Sequence, residues 1–302
     1  QENLKLRDFP TLAHVIGFVR DRRPDLAPTT SAAPAPGEQS PTPALADETA
    51  STSVMRRRVP TAVLRAPLAA CRTTEVQLAA PARVIVMKDA GGVGEALVTD
   101  LKQRGVDTLE IEPNETDVAS RVDAWRADGP VHGVYWLPAL DDVGDWTALE
   151  PSAWRSALDV RVKRLYRTMR SLYESIASAS TFLVVATRLG GRHGYDPAGA
   201  TCPLGGAVVG FAKTYKRERP DALVKAVDVG LDAADSDVAT LLVAETLHDA
   251  SIVEVGHQGD RRWSVGLHEA PAADGGTPMV LDAVSVFVVS GAAGSITSAI
   301  TA

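Results

Sequence analysis

Arg83-Val84-Ile85-Val86-Met87-Lys88-Asp89-Ala90-Gly91-Gly92-Val93-Gly94-Glu95-Ala96-Leu97 sets a short Val/Ile run, a glycine-rich turn and the start of a helix in immediate succession. A continuous β-branched run bounded by turn residues reads as a strand buried on both faces, and such strands belong to parallel sheets covered by crossover helices. The alternation repeats outward from this stretch. Residues 93–104 read as a helix ended by Gly105, 108–111 as a strand, and 116–127 as a helix with Asp117 near the positive end of its dipole. Residues 133–137 read as a strand, 152–177 as one long helix and 182–186 as the most strongly apolar strand. Residues 203–218 follow as a helix with Pro203 in its first turn, then 224–229 as a strand, 237–250 as a helix and 252–255 as a strand. Helices of this length between strands imply right-handed crossovers. The expected fold class is α/β, a doubly wound Rossmann-like parallel sheet with flanking helices, preceded by a short helix and a disordered linker.

The flanks differ in character. Within residues 1–23, Thr11 is placed to cap a helix after Pro10, and Leu12, Val15, Ile16 and Val19 form one apolar stripe. Such a helix is too short to stand alone, so it is expected to dock on something upstream. Residues 24–54 turn to Ala, Pro, Ser, Thr and Gly, which cannot offset their own ordering entropy and read as a flexible linker. Arg56-Arg57-Arg58 reads as a solvated or interdomain surface feature. After residue 269 an Ala/Gly-rich stretch interrupts the alternation, and 280–290 starts a further strand that runs into a second glycine turn. The expected parts are therefore 1–23, 24–54, a complete α/β domain at 55–278, and the opening of another at 279–302. The chain reads as a window from a longer polypeptide.

Composition narrows the function classes. Of 302 residues, 45% are hydrophobic and 23% charged, which excludes wholesale disorder and collagen-like or coiled-coil chains. Lys plus Arg is 31 against 38 for Asp plus Glu, and a net charge of −7 repels phosphate backbones, so nucleic acid is not an expected partner. Cys71 and Cys202 lie far apart without CxxC or Cys/His spacing, which supports neither a disulfide framework nor a zinc site. No secretory signal and no run of roughly 18 apolar residues is present, so no membrane partner is expected and the location reads as cytoplasmic.

Glycine turns after strands are where doubly wound folds bind dinucleotides, because the backbone can approach a pyrophosphate seated on the helix N-terminus. The turn Gly91 to Gly94 places Asp89 and Glu95 at its mouth, where acid repels phosphate, and only Glu112 follows the second strand as a ribose reader. A tight turn in a fold that has lost its cofactor is the favoured reading. The second turn, Ser290-Gly291-Ala292-Ala293-Gly294-Ser295-Ile296-Thr297, carries no acid. It approximates the Thr-Gly-Gly-x-Gly-x-Ile-Gly turn of short-chain dehydrogenases, so Ser290, Gly291, Ala292, Ala293, Gly294, Ser295 and Ile296 are the candidate cofactor-binding residues, with Thr297 at the last glycine position.

Short-chain reductases use a Tyr whose phenol is acidified by a Lys four residues on, so that it can protonate the alkoxide formed as hydride arrives. None of the five tyrosines qualifies. Tyr135 is followed four on by Ala139, Tyr166 by Arg170, Tyr173 by Ala177, Tyr195 by Gly199 and Tyr215 by Arg219. Tyr195 nevertheless lies in the loop after the strongest strand, where a reductase keeps its proton donor. No catalytic residue and no metal ligand is assigned. His132, His193 and His248 are too scattered for a metal and read as loop or surface histidines. Asp235-Ser236-Asp237 reads as a helix cap, and Asp141-Asp142-Val143-Gly144-Asp145 as a solvated loop.

Three features carry a family resemblance. Leu6-Arg7-Asp8-Phe9-Pro10-Thr11-Leu12 with Val15 and Phe18-Val19 resembles the last helix of an acyl carrier domain of polyketide and fatty-acid synthases. Val134-Tyr135-Trp136-Leu137, the strand from Thr181 to Thr187 and Leu204-Gly205-Gly206-Ala207-Val208-Val209-Gly210-Phe211-Ala212-Lys213-Thr214 resemble the structural half of a modular synthase ketoreductase, a degenerate short-chain dehydrogenase. The segment from Val286 to Thr297 resembles the NADPH turn that opens the catalytic half. A carrier placed before the reductase is similar to the order in polyunsaturated fatty-acid and enediyne synthases.

The resemblance implies a parent enzyme that reduces 3-oxoacyl-carrier thioesters with NADPH, its Ser, Tyr and Lys lying beyond Ala302 and its phosphopantetheine on a carrier serine upstream of Gln1. The implied partners are the catalytic half of the ketoreductase, the acyl carrier domain and other synthase domains, and the fragment alone is expected to be inactive. Two alternatives stand beside it: a free-standing short-chain dehydrogenase binding a dinucleotide at Gly91 to Gly94, and a non-catalytic interaction module.

Overall fold

A computed structural model describes residues 57–197, 199–271, 282 and 284–286. The carrier-like helix, the linker and the turn Ser290 to Ile296 lie outside the described residues. Eight strands form one sheet among those that are described: β1 (Arg58–Arg65), β2 (Arg83–Met87), β3 (Asp107–Ile111), β4 (Gly133–Trp136), β5 (Phe182–Thr187), β6 (Leu223–Val229), β7 (Glu254–Gln258) and β8 (Arg261–Glu269). Their spatial order is β1-β8-β7-β6-β5-β4-β2-β3. The run from β3 to β7 is parallel, as its buried Val/Ile strands require.

The helices α1 (Val93–Gln103), α2 (Val118–Ala127), α3 (Pro151–Leu158), α4 (Arg164–Ser171), α5 (Pro203–Glu218) and α6 (Asp235–Leu247) cover both faces. Alternation along β2 divides the core: Val84 and Val86 join Leu97, Leu101 and Leu242 of α1 and α6 on one side. Ile85 and Met87 join Val122, Leu165 and Val208 of α2, α4 and α5 on the other. The Asp117 side chain caps α2, accepting from the Ser120 amide at 3.4 Å.

Two expectations change. The sheet is not wholly parallel, because β7 and β8 form a hairpin at Gly259 (φ 58°) and β1 pairs antiparallel with β8 at the edge. Neither added strand carries the two-faced apolar run that marks its neighbours, and Pro60 interrupts β1. The long helix expected over 152–177 is broken into α3, a widened turn at Asp159–Lys163 and α4, with the helix ending before Leu172. Tertiary contacts accompany the break: Trp136 Nε1 donates to the Arg161 carbonyl at 2.9 Å, and the buried Arg161 guanidinium donates to the Asp141 carbonyl at 3.0 Å. A carbonyl drawn out of the ladder widens the helix there.

Candidate functional site

In an open α/β sheet ligands bind outside the carboxyl ends of the strands, where the strand order reverses. Here that point lies between β2 and β4, above the turn Gly91 to Gly94. The turn is already occupied by the chain's own carboxylate. Asp89, 3% exposed, accepts from the amides of Gly91, Gly92 and Val93 through Oδ2 at 3.1, 3.0 and 3.2 Å. Its Oδ1 accepts from the Gly94 amide at 2.7 Å. These are the N–H groups that would face a pyrophosphate.

The surroundings reinforce this. Asp141 Oδ1 accepts from the Ala90 amide at 2.8 Å, and burial pushes its carboxyl above the usual carboxylate range. Lys88 reaches Glu112 at 2.6 Å and Glu95 at 2.7 Å. Burial opposes its charge, but the bonds to Glu112 and Glu95 outweigh that and raise its proton affinity. Lys88 is thus bound by acids, as is Arg188, which pairs with the Asp235 carboxylate beside Gly92. The residues of this turn do not fit a dinucleotide, which weighs against a dehydrogenase built on Gly91 to Gly94.

The loop after β5 is held from below by Asp228, fully buried at the end of β6. Its carboxylate accepts from Thr187 Oγ1 at 2.8 Å, the Leu189 amide at 2.6 Å and the His193 amide at 2.8 Å. Gly191, at φ 83°, packs so closely on the His257 carbonyl that a Cβ would overlap it. His193 is a loop histidine, one of the two expected settings, but not at the surface: it is buried at φ 55° with Nε2 against the Val255 carbonyl, and burial lowers its proton affinity. Tyr195 stands on this loop, 41% exposed. With Gly199 four residues on, the loop holds no phenol–amine pair.

Other candidates resolve into structure. His132 Nδ1 accepts from the Arg83 amide at 3.0 Å, and His248 Nδ1 lies 3.0 Å from the Ala244 carbonyl. The helix at Asp235 has Ala234 as its N-cap with no side-chain cap, so Asp235 and Asp237 act as first-turn acids instead of the expected cap; Asp235 also pairs with Arg188 at 2.8 Å. Asp145 bonds the Thr147 amide at 3.0 Å. Among the described residues no group of three or more His, Cys, Asp or Glu could hold a metal ion, and both cysteines are free. No helix among them is long and apolar enough to cross a membrane.

Sequence reasoning missed a buried ionic cluster. Lys225, in the apolar run Leu223-Val224-Lys225-Ala226-Val227, donates to Glu245 Oε2 at 2.5 Å. Arg262 Nε and His257 Nε2 each approach Glu245 Oε1 at 2.7 Å, and Arg262 also binds Asp249 at 2.8 Å. Burial would raise the Glu245 carboxyl, but its bonds to His257, Arg262 and Lys225 hold it far below the usual range. A lone Lys inside a buried strand was the available signal. The cluster ties β6, β7, β8 and α6 together, and of its members only His257 lines a cleft among the described residues, one of about 410 Å³ beside Gly230 and Asp237.

A groove of about 530 Å³ runs over α4 and α5 on the outer surface, lined by Tyr166, Met169, Tyr173, Phe211 and Tyr215. Tyr166 is 52% exposed there, and Gly210 leaves open space above the helix.

No protein-family model matches the chain, and no curated protein does. Solved structures do. One, the adenylation, ketoreductase and pseudo-Asub multidomain structure of a keto acid-selecting NRPS module, superposes with TM-score 0.56 at 15% identity, over 71% of this chain and 18% of that one. The likeness is one of fold alone, an α/β Rossmann-like sheet. A-type ketoreductases from a modular polyketide synthase give TM-score 0.46 at 18% identity, over 72% of this chain and 44% of theirs. A gluconate 5-dehydrogenase from Burkholderia cenocepacia in complex with NADP and tartrate gives 0.45 at 13%, over 59% of this chain and 92% of its own. The chain spans less than half the length of the first two.

Proposed function

We propose that this chain is the scaffold half of a ketoreductase within a multifunctional polyketide or fatty-acid synthase, the parent enzyme reducing 3-oxoacyl-carrier thioesters. The observation that carries the reading is the self-liganded turn: a Rossmann-like domain whose phosphate-facing amides are all taken by Asp89 keeps the fold and forgoes the cofactor. The absence of a Tyr-x-x-x-Lys pair in the 302 residues agrees with it. NADPH, bound elsewhere, would supply the hydride; the turn Ser290 to Ile296 is the proposed place. The groove over α4 and α5 supports docking of a catalytic half on this side of the sheet, since Tyr166 is exposed there and Tyr173 and Phe211 are only partly covered. An upstream carrier with its phosphopantetheine, in the order of polyunsaturated fatty-acid or enediyne synthases, completes the proposal.

The test is direct. The purified 302-residue chain, given NADPH and a 3-oxoacyl thioester, should show no loss of NADPH absorbance, and extension of the polypeptide through the following catalytic half should restore it. Turnover by the 302 residues alone overturns the reading.

A further inference from the structure

Among the described residues, one face of the β1–β8 ribbon leaves Pro60, Leu64 and Leu267 exposed, while Trp263 lies under the Arg192 guanidinium. Directly opposed residues of an antiparallel pair share a face. The register sets Pro60 against Leu267, Ala62 against Val265 and Leu64 against Trp263, so six apolar side chains form one row. Leu64 is 59% and Leu267 68% exposed. β8 pairs with β7 only over Arg261–Ser264, so the ribbon runs on past the end of its neighbour. On this face α5 packs on β5 and β6 and reaches β7 through the Lys213–Glu254 pair.

Val265 links this row to a cleft of about 400 Å³ beside the C-terminal end of α5, lined by Arg65, Lys213, Lys216, Arg217 and Glu254 among others. Four cations face one carboxylate there, in a chain whose net charge is −7. Lys213 holds Glu254 at 2.8 Å and Lys216 bonds the carbonyls of Pro220 and Ala222, both at 2.8 Å. A local field opposite in sign to the whole molecule beside an exposed apolar row is a mark of a partner surface. A second copy of this chain fits it poorly. An isologous contact uses the same patch on both copies and would set one basic cleft beside the other.

We infer that this ribbon face and its basic cleft form a docking surface for an acidic amphipathic helix of a partner protein. The apolar stripe of that helix covers Leu64, Val265 and Leu267, and its carboxylates meet Arg65 and Arg217. This surface lies apart from the α4–α5 groove, so it stands or falls independently of the proposed docking of a catalytic half.

The probe is a synthetic 18-residue helical peptide with Leu on one face and Glu on the other, beside its Lys-faced counterpart, titrated into the 302-residue chain by fluorescence anisotropy. The Glu-faced peptide should bind at least tenfold more tightly than the Lys-faced one, and weaken with added salt. Arg65→Glu with Arg217→Glu, and separately Leu64→Ser with Leu267→Ser, should each weaken it at least tenfold, while Tyr166→Ser in the other groove should leave it unchanged. Equal binding of both peptides, binding insensitive to the ribbon variants, or no binding overturns the inference. So does a dimer in sedimentation that Leu267→Ser abolishes, which would assign the face to a second copy.

Discussion

Asp89 Oδ1 lies 2.7 Å from the Gly94 amide, and the same carboxylate closes the turn through its other oxygen. An acid at this place does more than repel phosphate at a distance: it takes the phosphate's hydrogen bonds. Asp89→Ala should therefore cost about 1–2 kcal/mol, the scale of a lost helix cap. It should also expose amides that inorganic pyrophosphate can reach, so pyrophosphate should raise the melting temperature of the variant and leave the parent chain unchanged.

The Glu245 cluster sets a second expectation. Glu245→Gln leaves Lys225 and Arg262 buried with one carboxylate fewer, and loss of one partner of a buried pair costs about 3–5 kcal/mol. Urea unfolding at neutral pH measures it. Because the folded carboxyl titrates below the ordinary 4.5 of a free Glu, its contribution is complete above that pH and is lost as pH falls further. Stability of the parent chain should decline below about pH 4.5 more steeply than that of Glu245→Gln.

Gly191 predicts a backbone effect. Its positive φ and its approach to the His257 carbonyl leave no room for a methyl group, so Gly191→Ala should destabilise by more than about 1 kcal/mol. Gly199→Ala shares the positive φ but has open space around it and should cost less. Thermal denaturation of the two variants separates strain from overlap.

Tyr166 tests the proposed packing of a catalytic half. Being 52% exposed on α4, it should change to Ser with a stability effect within about 0.5 kcal/mol. In the extended polypeptide the same change should lower reductase activity if the groove is covered there. Stability and activity measured side by side distinguish the two.

The parallel sheet was legible because its strands are buried on both faces, and such strands write continuous Val/Ile runs, as Val84 to Met87 and Phe182 to Ala186 do. β1 was not, because Pro60 and apolar residues on both faces blur its period, and β8, although Trp263, Val265 and Leu267 alternate with Arg262, Ser264 and His268, lies outside the βαβ pattern that made its neighbours legible. The break at Asp159 comes with a contact from Trp136, remote in sequence, to the Arg161 carbonyl. At the turn the acids were legible in the sequence, but that one carboxylate would gather four amides depends on a fold of the loop that composition does not encode. Lys225 and Glu245 were overlooked for the same reason: their partner Arg262 comes from a strand the pattern did not show.

The ribbon has one more consequence. The Ala270 amide donates to the Arg57 carbonyl at 3.1 Å, although the two residues are 213 positions apart. A polypeptide that passes through this sheet leaves it within one hydrogen bond of where it entered. Such a body hangs from its chain like a bead on a knot: it can be gained or lost by a gene without altering the distance between whatever lies on either side.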